Sequence, residues 1–155
     1  KSFSLYGERV GALTIVGDSK EEASRVLSQA KRVIRTNYST PPTHGAAVVA
    51  TVLNTPELRK LWEEELEEMR GRIKRMRNEF VAQLEAKGVT ALKGHDFKFV
   101  TEQRGMFSYS GLTATQIERL RKEFGIYAVS TGRICIAALN SRNIGPVVEA
   151  ITAVL

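Results

Sequence analysis

Among the side chains whose types could do chemistry are one lysine and three arginines: Lys1, Arg9, Arg35 and Arg133. A lysine amine can condense with an aldehyde to form a Schiff base, and once displaced by a substrate amine it can carry protons. A guanidinium offers a planar donor fork that matches a carboxylate or a phosphate in two parallel hydrogen bonds. Arg9 opens the short apolar run of residues 9–17, bounded by glycines and expected to be a buried strand, where a guanidinium needs an anionic partner. Glu8 is the adjacent acid but is oppositely directed in a strand, so a structural pair and a ligand site suit Arg9 equally well. Gly132 removes a side chain beside Arg133, ahead of the apolar run 134–138, and leaves room for a ligand to approach. By spacing alone, Lys1 reads as a solvated lysine, Arg35 as a cation favoured at a helix C-terminus, and Arg133 as a paired structural arginine. Phe107 reads as core and Cys135 as a small buried strand residue. His44 and His95 have no partners at triad or metal spacing, and no metal site is expected.

The elements that must position these residues follow from periodicity. Ser19 and Glu22 form a capping-box signature ahead of Ala23, Val26, Leu27, Ala30, Val33 and Ile34, which predicts a helix ending near Arg35. Residues 37–42 then form a polar, proline-stiffened loop before an apolar helix over 46–53. Pro56 starts the longest helix, expected to reach residue 87, with Trp62, Leu66, Met69, Ile73, Met76, Phe80 and Leu84 along one seam. Gly71 is expected to mark a bend or junction within it, since glycine costs about 1 kcal/mol in a helix interior. Beyond Gly88, short apolar runs at 97–101, 106–109, 127–129 and 134–139 predict a small sheet. Thr113 and Gln116 cap a helix stopped by Gly125, and Ile144, Val147, Val148 and Ile151 mark a last one.

Composition narrows the function classes. The chain has 155 residues, 43% hydrophobic and 26% charged, enough to bury a core and unlike a disordered chain. Its 23 Lys and Arg against 17 Asp and Glu give +6, but the signs are interspersed along 63–77, which reads as a solvated helix face. No apolar run approaches the roughly 18 residues of a membrane span, and no signal pattern opens the chain. The single cysteine suits a reducing compartment, so the expected location is cytoplasmic. Neither a nucleic-acid nor a membrane partner is expected. The chain starts at Lys1 without an initiator methionine and enters patterned sequence at once, so an upstream portion is expected.

Five separated motifs occur in order: Lys1-Ser2-Phe3-Ser4-Leu5-Tyr6-Gly7-Glu8-Arg9-Val10-Gly11, the stretch from Ile34-Arg35-Thr36-Asn37-Tyr38 to Gly45, Trp62-Glu63, Gly105-Met106-Phe107-Ser108 and Thr131-Gly132-Arg133. Together they span nearly the whole chain and resemble the class I aminotransferases that use pyridoxal 5'-phosphate (PLP), of the aspartate and aromatic type. The resemblance implies the C-terminal portion of the type I PLP-dependent transferase fold, an α/β fold. Residues 1–71 would end the large PLP-binding domain and residues 72–155 would form a small α+β domain, joined by the long helix. It implies transamination between an aromatic or dicarboxylic amino acid and 2-oxoglutarate or oxaloacetate, by a homodimer with shared active sites. Lys1 would hold PLP and move the proton, Arg9 would grip the cofactor phosphate, and Tyr38 would touch the neighbouring subunit's cofactor phosphate. Arg133 would bind the substrate α-carboxylate, Arg35 the distal carboxylate across the dimer, and Asn37 and Phe107 would line the pocket. The residues that sandwich the ring and pair its nitrogen precede the lysine in that family, so this chain alone is an incomplete enzyme. The alternative is a basic helical interaction module built on residues 56–87.

Overall fold

The computed structural model describes residues 2–92 and 95–155, so Lys1, the expected cofactor lysine, lies outside the described residues. The chain divides into two compact units, Lys1–Glu64 and Glu65–Leu155.

The first unit is helical. Helix α1 spans Lys20–Tyr38; the Ser19 side chain accepts from the Glu22 amide at 3.1 Å, while the Glu22 carboxylate accepts from the amide of Asp18. The helix runs one turn past Arg35 and ends at Ser39, which takes a φ of 65° ahead of Pro41 and Pro42. Asn37 and Tyr38 therefore belong to its last turn and not to a loop. Helix α2 spans His44–Asn54. A Cβ at Gly45 would stand 2.8 Å from the Glu8 Cβ, so the absence of a side chain lets the 8–10 stretch lie against the start of α2.

Residues 9–17 do not form the expected buried strand. They have no regular secondary structure, and Leu13 and Val16 are 83% and 91% exposed. The physical reason is pairing: an extended segment needs a neighbour for its main-chain donors and acceptors, and the only strands among the described residues pair with one another elsewhere.

Helix α3 covers Pro56–Ala86 without a break, so Gly71 is a tolerated interior glycine and not a bend. Its seam is buried in its later part, where Met76, Phe80, Val81 and Leu84 lie in the core with Ile73 against them; Leu66 and Met69 are exposed, while Trp62 near its start is half-buried and stacks on Phe3 at 4.6 Å. The core of the second unit joins that face to Phe97, Val100 and Leu112, to Ile117 and Leu120 of α5 (Ala114–Phe124), to Ile136 and Leu139, and to Ile144, Val148, Ile151 and Val154 of α6 (Ile144–Val154). Thr113 and Gln116 form the anticipated capping box of α5, and Gly125 closes it in the left-handed conformation.

The sheets are small. Strand β1 (Ala91–Leu92) pairs antiparallel with β2 (His95–Asp96), and β3 (Phe107–Tyr109) with β4 (Arg133–Cys135). The expected strand at 97–101 is instead a turn leading into the single helical turn α4 (Phe99–Glu102). The Asp96 carboxylate caps the Lys98 amide at 2.8 Å and Thr101 Oγ1 donates to the Lys98 carbonyl at 2.7 Å, local bonds that compete with a ladder. Residues 127–129 join no ladder, and the run at 134–139 leaves β4 after Cys135 for a tight 3₁₀ turn over Ile136–Ala138.

Candidate active site

Each anticipated residue is placed by a different local cause. Arg9 sits in exposed irregular backbone with φ 52°, where its Nη1 donates to the Tyr6 carbonyl at 3.3 Å. It therefore faces no burial cost there, contrary to the strand reading. Glu8 meets Nδ1 of His44 at 3.0 Å. Arg35, Asn37 and Tyr38 share the last turn of α1, all exposed, with the Arg35 carbonyl accepting from the Ser39 amide. Among the described residues no hydrogen bond or ion pair joins Arg9 to that turn.

Phe107 and Arg133 come together on the β3–β4 hairpin. In the antiparallel register Tyr109 faces Arg133, and Phe107 lies diagonal to it on the same face. The Arg133 guanidinium lies over the Phe107 ring, 4.8 Å from its centroid, an orienting contact of about 0.5–1 kcal/mol at an exposed site. Among the described residues no acid or carbonyl engages its donors. The arginine is thus held by its flat face with its hydrogen-bonding edge available, an arrangement suited to a carboxylate.

Gly132 serves this arrangement, but not by admitting a ligand. Its φ is 86°, and a Cβ there would lie 2.8 Å from the Leu112 carbonyl oxygen. The close approach is made by the protein's own backbone. Its carbonyl accepts from the amide and the hydroxyl of Ser110 at 2.8 and 2.7 Å, which anchors the turn that presents Arg133.

Two further arginines hold the hairpin from beneath. Arg77, 3% exposed, donates to the carbonyls of Val100 at 2.8 Å, Gly105 at 2.7 Å and Phe107 at 2.9 Å, and to the Ser108 hydroxyl. Burial, with the nearby Arg104 guanidinium adding to it, lowers the Arg77 pKa from its ordinary value, though an arginine remains charged at neutral pH. Arg72 donates to the carbonyls of Ala137 at 2.8 Å and Leu139 at 2.9 Å. The alternating charges had suggested a solvated face for both. A signal was nonetheless present: Arg77 stands four residues from Ile73 and from Val81, on the apolar side of α3.

The model of the aminotransferase class I and II family matches residues 1–151, and the chain belongs to that family. It is 68% identical over all 155 residues to an aspartate aminotransferase of Pseudomonas aeruginosa and 50% identical to an aromatic-amino-acid aminotransferase of Escherichia coli. In each case it covers 38% of the relative's length. A crystal structure of an aromatic-amino-acid aminotransferase from Burkholderia pseudomallei, covalently bound to pyridoxal phosphate, superposes with a TM-score of 0.92 at 68% identity, covering 100% of this chain and 38% of that one. The basic interaction module gains no support from these matches. Nor does α3 favour it, since Arg72 and Arg77 are engaged internally.

Proposed function

We propose that this chain is the C-terminal part of a PLP-dependent aminotransferase subunit that moves an amino group between an aromatic or dicarboxylic amino acid and 2-oxoglutarate or oxaloacetate. The observation that carries the reading is Arg133, oriented by Phe107 with its donor edge unengaged, in a chain of this family. Residues 1–71 would complete the large cofactor domain of the type I fold and residues 72–155 would form the small domain.

The residues present fit the cofactor. Arg9 is exposed and makes one long bond of 3.3 Å to a carbonyl, so most of its fork is available to a phosphate, and the exposed Tyr38 hydroxyl can donate to the cofactor phosphate of the other subunit. Bound PLP supplies an electron sink for breaking the Cα–H bond of an amino acid. Lys1 would hold the cofactor through its side-chain amine and would take up and return the proton at the substrate Cα. Arg133 would grip the substrate α-carboxylate, and Phe107 and Asn37 would each contact the substrate. Arg35, at the exposed end of α1, reaches the distal carboxylate of a dicarboxylic substrate in the other subunit of a homodimer. The same surface can instead receive an aromatic ring when Arg35 turns aside. The assembly would work in the cytoplasm, a reading that the single cysteine supports; among the described residues no helix is long and apolar enough to cross a membrane.

The test uses the full-length subunit. Lys1→Ala should abolish the absorbance of bound PLP and transamination together. Arg133→Ala should raise KM for aspartate and phenylalanine alike by roughly 10²-fold, since a bidentate charged contact is worth about 3 kcal/mol. Arg35→Ala should penalise aspartate selectively. Unchanged PLP absorbance and turnover in Lys1→Ala would overturn the assignment.

A further inference from the structure

We propose that Arg72 and Arg77 are positioning residues that fix the β3–β4 hairpin so that Arg133 meets the substrate carboxylate, an inference that rests on the reading of Arg133 given above.

These two arginines differ from others in the chain. Arg59, Arg70, Arg119 and Arg121 lie on helix surfaces and pair with acids three or four residues away: Glu63, Glu67, Glu123 and Glu118. Arg72 and Arg77 donate only to neutral oxygens, five of them main-chain carbonyls. A buried charge without a counter-ion is a costly way to fill space, and apolar packing would stabilise as well. What the guanidinium adds is direction, because its rigid fork fixes several carbonyls at once.

The carbonyls chosen bracket the site. Arg77 takes those of Gly105, just before β3, and Phe107, its first residue. Arg72 takes those of Ala137 and Leu139, just after β4. The amide of Ala137 donates to the Met106 carbonyl at 3.2 Å, tying the two ends together. Phe107 is therefore held through its own carbonyl by Arg77, and its ring carries Arg133. The hydroxyl that Arg77 engages belongs to Ser108, directly opposite Ile134, the neighbour of Arg133. Five residues on α3 separate the clamps by about 7.5 Å along the helix axis, so one rigid helix registers both ends of the hairpin. The Arg77 charge, with no acid bound to it, also favours an anion over the hairpin without competing for it.

The experiment measures binding of 3-phenylpropionate, an unreactive monocarboxylate, to the PLP-loaded full-length subunit. Lysine keeps the charge but not the fork, so Arg77→Lys should raise Kd at least 10-fold while the PLP absorbance is retained. Arg133→Ala should weaken binding more, and adding Arg77→Lys to it should cause no further loss. If both Arg77→Lys and Arg72→Lys lower Tm but leave Kd unchanged while Arg133→Ala abolishes binding, the two arginines are structural only and the inference is overturned. If Arg133→Ala itself leaves Kd unchanged, the reading of Arg133 has failed and the inference fails with it. Should Arg77→Lys not fold, the half-buried Arg72→Lys decides by the same criteria.

Discussion

At Gly132 a φ of 86° and the Leu112 carbonyl, 2.8 Å from where a Cβ would stand, leave no acceptable position for a side chain. Gly132→Ala should cost about 1–3 kcal/mol in backbone strain alone and lower Tm by about 4–8 °C per kcal/mol, measurable by calorimetry. The sequence suggested room for a ligand beside this glycine, whereas the group that stands there is the main-chain oxygen of Leu112, which only coordinates could identify. Arg77 is a similar case. Its type argued for solvent and its helical phase for the interior, and the phase prevailed because carbonyls of the 100–107 segment were available to satisfy it. Which distant carbonyls fold under a helix is long-range information that spacing does not carry. The resemblance named Arg133 and Phe107, and the diagonal register explains why their side chains meet.

Helix α5 shows how much of an element can be written locally. Its capping box at Thr113 and Gln116 and its left-handed stop at Gly125 are short-range devices, legible in the sequence and present in the fold. Thr113→Ala should cost about 1 kcal/mol, seen as a lower denaturant midpoint with an unchanged slope. On the same helix, hydrogen bonds from Arg121 and Lys122 hold the Glu118 carboxyl below its ordinary value of 4.5, and Arg119 does the same for Glu123. A carboxylate depressed in the folded state stabilises fully above its unfolded pKa and loses that contribution as pH falls through the folded value. These pairs should leave stability flat between pH 7 and 5.5 and withdraw support below about 4.5; Glu118→Gln and Glu123→Gln should flatten that acid limb in pH-dependent melts. The run at 97–101 forms a turn, and that at 134–139 is strand only through Cys135, because apolar periodicity over a few residues cannot separate a strand from a buried turn. Asp96 and Thr101 decided the first by local capping.

Across the whole molecule, burial is uneven. The clustered apolar core lies in the Glu65–Leu155 unit, whereas helix α1 has no buried residue and α2 only Gly45. Protection from amide exchange should therefore be strong along Met76–Leu84, α5 and α6 and weak throughout α1, because isolated exposed helices open readily; equal protection in both units would contradict this distribution. Helix lengths and the second unit's core were legible from the 3.6-residue period. The fate of residues 9–17 was not, because a strand is completed by a partner that its own sequence cannot specify. That segment has a practical consequence. Residues 11–17 form an uncharged, proline-free, β-branched run with its large side chains in water, the profile of a segment that seeds intermolecular cross-β pairing. The isolated chain should scatter light in a concentration-dependent way on warming, and Val16→Lys, placed at its most exposed large side chain, should suppress that association without altering the melting of the second unit.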